Sequence, residues 1–292
     1  MLPIIFVHRG NRAYLPLSLW KAKATNPRSD IILIGDRQNA HWATAARHYT
    51  WAPYGARAEA FARSFRNFGP NRPDFELVCF QRWLVLQSFL RAHHIDHCLY
   101  IDSDVLLYGD VEADARRFSA YGMTTAGISG HTNFIRGPET LGAFCDLLVE
   151  LYRDERALAQ LGEQHAALRH AGDHSGISDM TFFQMFAERH SDSVLDIARP
   201  LSGCAYDESL SATEGFAHDN GIKTLRWSDG APVAETANGE PVKMRSLHFQ
   251  GDSKQYMRAM AHLDSHPQRI AYQLNRPYVL GQRAWNWLAR RA

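Results

Sequence analysis

The stretch His97-Cys98-Leu99-Tyr100-Ile101-Asp102-Ser103-Asp104-Val105-Leu106-Leu107-Tyr108 sets two carboxylates, one residue apart, where an apolar strand ends. Leu99-Tyr100-Ile101 reads as a buried strand, and in open α/β sheets the carboxyl ends of strands face the ligand crevice. If the chain stays extended, Asp102 and Asp104 share a strand face. Both then reach one hard cation through oxygen and leave open positions for a diphosphate. A polar strand-to-loop turn is the other reading, because Asp and Ser both favour turns and a bare Asp-x-Asp is a weak motif. The surroundings favour the cation. The pair stands between two apolar runs, behind a helix-like segment over residues 76–92, and unsolvated carboxylates are costly without a counter-charge.

On either side of this stretch, strand and helix patterns alternate. Residues 4–7 read as a strand, 13–24 as a helix closed by Asn26-Pro27, 30–34 as a strand ended by Gly35-Asp36, and 41–48 as a short helix. Such alternation means a mostly parallel sheet flanked by helices, the α/β class. Further along, a helix is expected at 110–118, strand-like runs at 123–128 and 132–136, and one long helical region from Pro138 to about residue 171. Ser178 reads as the cap of a helix at 179–189. Residues 203–241, rich in Gly, Ser, Asp and Asn, read as loops with short strands, and 242–249 as a last strand.

The 292 residues are 45% hydrophobic and 22% charged, enough for one large core, so a single α/β domain over residues 1–260 is expected, followed by a tail over 261–292. A formal net charge of +1 gives the molecule no overall attraction to nucleic acid, and none is expected as a partner. Cys79, Cys98, Cys145 and Cys204 are scattered without a Cys-x-x-Cys and have mostly apolar neighbours, which suits reduced thiols and a cytoplasmic location. The apolar start Leu2-Pro3-Ile4-Ile5-Phe6-Val7 is too short for a signal peptide and lacks its cationic flank. No 18-residue apolar run occurs, so neither export by that route nor a membrane span is expected.

A second motif stands at the last strand. His248-Phe249-Gln250-Gly251-Asp252-Ser253-Lys254 fits the His-x-x-Gly-x-x-Lys element that, with Asp-x-Asp, characterises retaining glycosyltransferases of family 8, and the two motifs come in the expected order. From residue 4 to about 256 the chain resembles that family and its GT-A fold at the level of motifs. The resemblance implies that Asp102, Asp104 and His248 bind Mn²⁺ or Mg²⁺. It also implies that Ser103, within the first motif, Gly251 and Lys254 meet the nucleotide diphosphate. The chemistry agrees: glycine lets backbone approach a phosphate, and a lysine gives a point positive charge to the leaving group.

Other elements are similar to the family with falling specificity. Phe80-Gln81-Arg82-Trp83 matches its aromatic-x-Arg element, whose arginine helps hold the donor; a surface arginine is the bland alternative. Thr132-Asn133-Phe134-Ile135 resembles the strand whose Asn lines the sugar site. Asp179 resembles the acidic residue of an Asp-Gln segment near the anomeric carbon, although Met180 replaces the amide. Asn11 and Tyr14 stand where the family contacts uridine, but His8 and Arg9 occupy the place where an Asp is common. Asp36, at the end of the second strand, is an alternative pyrimidine or ribose contact. For Asn11, Tyr14 and Asp36, a ligand role and a turn or cap role both stay open.

The remaining signals are weaker. His93, His94 and His97 read as solvated residues between helix and strand, and His131, His165, His170 and His174 as surface residues. No GxGxxG, P-loop, G-x-S-x-G or HExxH occurs. Asp-x-Asp after an apolar strand also suits a haloacid-dehalogenase-type phosphatase with Asp102 as nucleophile. That motif usually opens its chain, however, and carries Thr or Val where Leu106 stands. A non-catalytic sugar-nucleotide or glycan-binding module would keep the same binding residues. In the tail, Arg269, Arg276, Arg283, Arg290 and Arg291 follow Asp264 with no acidic residue, beside Trp285 and Trp287. As a helix this segment is amphipathic and suits the inner face of an anionic membrane, or else it docks on the domain with its arginines in water. The expected activity is metal-dependent transfer of a hexose from a UDP-type nucleotide sugar to a glycan or glycolipid acceptor, in bacterial surface-polysaccharide synthesis.

Overall fold

The computed structural model describes residues 1–173 and 175–261. In chain order the elements begin β1 (Ile4–Val7), α1 (Leu15–Thr25), β2 (Ile31–Gly35), β3 (Arg47–Thr50), α2 (Ala56–Ala62), α3 (Pro73–Ala92), β4 (His97–Ile101) and β5 (Val105–Leu107). Next come α4 (Val111–Arg117), β6 (Met123–Thr125), β7 (Thr132–Arg136), α5 (Pro138–Arg153), α6 (Glu155–His170), α7 (Asp179–Arg189) and β8 (Val194–Asp196). The last are β9 (Cys204–Tyr206), β10 (His218–Asp219), β11 (Ile222–Lys223), β12 (Leu225–Ser228), β13 (Ala231–Glu235), β14 (Pro241–His248) and α8 (Met257–Met260). This is the expected mixed α/β protein, with a mostly parallel central sheet flanked by helices. Among the described residues no helix is long and apolar enough to cross a membrane.

Two compact units share the chain in interleaved segments. The first takes Met1–Tyr49, Ile101–Arg116 and the described residues from Ile197 on. Its strands β3, β2 and β1 lie side by side in that order, with β1 and β2 parallel and Ile4 opposite Ile31. Ile4, Ile5, Phe6, Leu33 and Ile34 are fully buried, so these strands read as unbroken apolar runs rather than alternating ones. A second sheet runs β12-β13-β14-β5, with β9 parallel to β14. Helix α1 ties to β5 by polar contacts: Ser18 Oγ donates to the Val105 carbonyl at 2.5 Å and Thr25 Oγ1 to that of Leu107 at 2.9 Å. The antiparallel pairing of β14 with β5 sets His248 opposite Val105.

The second unit comprises Thr50–Tyr100 and Arg117–Asp196. Its strand order is β4-β7-β6-β8, with β6 antiparallel to β7 and parallel to β8. Aromatic rings dominate its core: Trp83 packs edge-on to Phe183 at 4.7 Å, and Phe144 stacks on Phe183 at 4.0 Å. Gly130 makes that packing possible, because a Cβ there would lie 2.4 Å from the Phe183 ring.

Several elements differ from their sequence readings. The helix expected at 41–48 is a 3-10 turn at Ala40–Thr44 followed by β3. The long helical region after Pro138 is two helices. Asp154 leaves helical geometry at ψ 116°, and its carboxylate accepts the Ala157 amide at 2.7 Å, so the chain stops one helix and caps the next. The expected strand at 123–128 ends at Thr125, and Ala126 forms only a bridge to Ser129. Ser178 begins α7 as expected, in a capping box with Thr181. All four cysteines are free, as expected, but only Cys98 and Cys145 are buried.

Candidate functional site

In the first unit, Asp102-Ser103-Asp104 is a turn and not an extended strand. Strand β4 ends at Ile101, and the Val105 amide returns to the Asp102 carbonyl at 3.1 Å. The shared strand face predicted for the two carboxylates is therefore absent: turn propensity of Asp and Ser outweighs strand continuation here. Asp104 instead gains its neighbours through β14. The Phe249 amide donates to the Asp104 carbonyl at 2.9 Å, which brings the His-x-x-Gly-x-x-Lys segment alongside. Lys254 Nζ lies 2.6 Å from Asp104 Oδ2, and His248 Nε2 lies 3.7 Å from Oδ1.

The His248 ring is held from behind. Its Nδ1 donates to the Glu208 carbonyl at 2.7 Å, and its backbone amide donates to Asp207 Oδ2 at 3.0 Å. A carbonyl only accepts, so Nδ1 carries a proton and Nε2 is the ring nitrogen turned toward the Asp104 carboxylate. An imidazole nitrogen and a carboxylate oxygen at that distance, once the ring is deprotonated, are an acceptable donor set for Mn²⁺ or Mg²⁺. Asp102 does not complete a three-ligand set. Among the described residues no three His, Cys, Asp or Glu are arranged around one ion position. Gly251, at φ +58°, opens the following 3-10 turn, and a Cβ on it would meet nothing within 4 Å. Its backbone thus borders open space, as a phosphate contact requires.

The loop after β1 holds a second group of polar side chains in the same unit. Asp36 accepts the Gly10 amide at 2.8 Å and the Gln38 amide at 2.9 Å, so of its two open roles the structure fills that of a turn residue. Asn11 is buried; its Oδ1 accepts Trp42 Nε1 at 3.0 Å, while its Nδ2 has no partner among the described residues. His8 Nδ1 meets Ser103 Oγ at 2.8 Å, and its Nε2 is likewise buried without a partner among the described residues. Burial pushes the His8 pKa down to about 4, with Arg12 adding to the shift against opposing pulls from Asp104, Asp36 and Asp102. The Tyr14 hydroxyl is pushed up, first by burial and then by Asp104, and Lys254 Nζ sits 5.6 Å from the centre of its ring. An orphaned buried donor costs about 1–3 kcal/mol until a water or a ligand satisfies it. Asn11 Nδ2 is such a donor, and a ligand bearing an acceptor would satisfy it.

In the second unit Arg82 is no surface residue. Its Nη2 lies 2.8 Å from Asp179 Oδ2, which also accepts Trp83 Nε1 at 2.9 Å, and both partners of the ion pair are largely buried. Glu76, buried nearby, accepts the Asn71 amide at 3.2 Å and Asn71 Nδ2 at 2.6 Å; burial raises its pKa. Asn133 is fully buried in β7 with its Oδ1 accepting the Thr124 amide at 3.2 Å. His131, expected at the surface, is 0% exposed because it enters the sheet next to β7. His93, His94, His97 and His170 are exposed as expected, while His165 is half-buried and rests against Phe68 at 5.8 Å. His174 and the arginine-rich tail lie outside the described residues.

Sequence reasoning missed His8 as a polar contact, treating it only as a departure from a pattern. It also missed Asp207, Lys223 and Glu76. Glu76 carries a local signal, an acid in the first turn of a helix. Asp207 and Lys223 carry none, since only the tertiary fold brings Asp207 to the His248 amide and Lys223 to Asp207.

No family model matches the chain, and no curated protein sequence matches it. Solved structures that resemble it include the galactosyltransferase LgtC in complex with donor and acceptor sugar analogues. That chain is 11% identical, with a TM-score of 0.45, over 92% of this chain and 99% of that one. An active-site mutant of LgtC is 12% identical, with a TM-score of 0.48, over the same shares.

Proposed function

We propose that the protein is a metal-dependent glycosyltransferase that moves a hexose from a nucleotide diphosphate sugar, UDP-linked, to a glycan or glycolipid acceptor. The observation that carries this reading is Asp104 flanked by His248 Nε2 and Lys254 Nζ, with the open backbone of Gly251 beside them. A divalent cation held by Asp104 and His248 would offset charge on the diphosphate, with Asp102 assigned to it only on the likeness to the family's motif.

The chain's own residues do the rest. Lys254 is already paired with a carboxylate and poised to transfer that contact to a phosphate oxygen, where negative charge grows as the sugar bond breaks. Ser103 and the Gly251 amide serve the same diphosphate. At the nucleoside end, Asn11 Nδ2 is an unused buried donor that a base carbonyl can satisfy, and Tyr14 offers its ring. Asp36 holds the loop that carries them. Arg82, Asn133 and Asp179 are assigned to the sugar and its reacting carbon, on their likeness to the family's motifs. A retaining outcome follows from the same likeness. The arginine-rich tail is assigned a peripheral contact with anionic membrane at its cytoplasmic face. Removing residues 279–292 should abolish sedimentation with anionic vesicles and spare transfer to a soluble acceptor.

The test is a panel of nucleotide sugars with and without Mn²⁺, read first by thermal stabilisation and then by product. A donor at 100 times its Kd stabilises by about 2.7 kcal/mol. Release of a nucleoside diphosphate from one donor is the expected product. Inorganic phosphate from simple phosphomonoesters, with no sugar-nucleotide turnover, would instead establish Asp102 as a phosphatase nucleophile. Binding without turnover would leave a sugar-nucleotide-binding module.

A further inference from the structure

Lys223 is a lysine almost without solvent, 4% exposed, on the short strand β11. Its ammonium reaches Asp207 Oδ1 at 2.5 Å and the Ser209 carbonyl at 2.8 Å, and the Phe216 ring lies 4.9 Å away. Those two oxygens belong to the residues on either side of Glu208. Asp207 uses its other oxygen to accept the His248 amide at 3.0 Å, and the carbonyl of Glu208 accepts His248 Nδ1 at 2.7 Å. The same turn closes a ladder at both ends: the Leu210 amide donates to the His248 carbonyl at 3.0 Å, and the Lys223 amide to the Leu210 carbonyl at 2.9 Å.

A buried ion pair gives a fold little net stability, because desolvating two charges offsets most of their attraction, and in some proteins such a pair serves to fix a geometry. Here the geometry in question is one carbonyl direction. With Lys223 gripping residues 207 and 209, the Glu208 carbonyl cannot turn away from His248. The imidazole is then held with a proton on Nδ1, and Nε2 is the nitrogen presented to Asp104.

We infer that Lys223 and Asp207 are positioning residues, a buried ionic clamp that sets the tautomer and direction of the His248 ring. The inference rests on the reading of His248 and Asp104 as sharing a divalent cation for its consequence, but not for the tautomer itself. A histidine that ligates a cation through one nitrogen needs the other fixed as a donor, and losing that partner weakens cation binding about 10–100-fold.

The experiment uses the full chain with ¹⁵N-labelled histidine, and His248→Ala assigns the His248 signals. In the metal-free wild type, the ring ¹⁵N shifts of His248 should show a proton held on Nδ1; a bare Nδ1 overturns the proposal without any variant. Lys223→Met strands the Asp207 carboxylate and risks misfolding, so the informative variant is the neutral pair Lys223→Met with Asp207→Asn, which keeps an acceptor for the His248 amide. The proposal expects mixed tautomers in that variant and an Mn²⁺ affinity, measured by titration, lower by about 10–100-fold. A retained Nδ1–H signal with Mn²⁺ affinity within twofold of wild type, even if the protein melts earlier, reduces the clamp to a structural role and overturns it. Failure of the cation reading looks different: wild type and His248→Ala would show the same Mn²⁺ affinity, while the tautomer still shifts in the double variant.

Discussion

Asp104 is the residue on which the site turns, because it faces an imidazole and an ammonium at once. Alanine at 104 should lower Mn²⁺ affinity more than about 100-fold in calorimetric titration, since it removes a ligand outright, whereas changes around a ligand cost about 10–100-fold. Wild-type affinity in that variant would remove the cation from Asp104. Lys254 makes a different contribution. If, as proposed, its charge acts most strongly on the leaving phosphate as the bond breaks, Lys254→Ala should lower kcat by roughly 10²–10³ with a smaller change in KM. A raised KM at unchanged kcat would make it a residue that binds ground and transition states alike. Asn11 Nδ2 and His8 Nε2 are buried polar atoms without a partner among the described residues, and under the proposed function the first of them is assigned to the far end of a donor nucleotide.

At the scale of elements, caps and breaks decide where helices begin, and these were partly legible. Ser178 followed by Thr181 marks a helix start that the structure contains. Asp154 went unread because the apolar and polar periodicity runs on through it, yet its carboxylate on the Ala157 amide divides α5 from α6. Replacing Asp154 with alanine should cost about 1 kcal/mol in urea denaturation, the usual value for a lost N-cap. No measurable change would mean that packing of α6, rather than the cap, fixes its start. Strand β3 was misread as helix because Arg47–Thr50 is neither buried nor alternating, so its pairing beside β2 supplies what its sequence lacks.

For the molecule as a whole, the buried neutral His8 links stability to pH. Its folded pKa of about 4 lies below the usual 6.5, so between those values the unfolded chain binds more protons than the folded one. Stability from this group is therefore full above about pH 7 and falls as pH drops through 6.5 toward 4, by on the order of 3 kcal/mol. His8→Gln should flatten the slope of unfolding free energy across that window; an unchanged slope would mean that His8 is protonated in the folded state. The chain's α/β class and its buried parallel strands are set by local composition and periodicity, which any reader of the sequence can follow, whereas His248 and Lys254 are singled out by their resemblance to a family motif. Asp102, Asp104, His248 and Lys254 could be named, but not placed. That Asp104 meets His248 follows from the β5–β14 register, and that Lys223 reaches Asp207 follows from a turn closed on the same strand. Such pairings join residues far apart in the chain, and their energies depend on which partners the fold desolvates together. Only the tertiary structure decides that, so it alone turned an extended pair of carboxylates into a tight turn and one of them into the centre of the site.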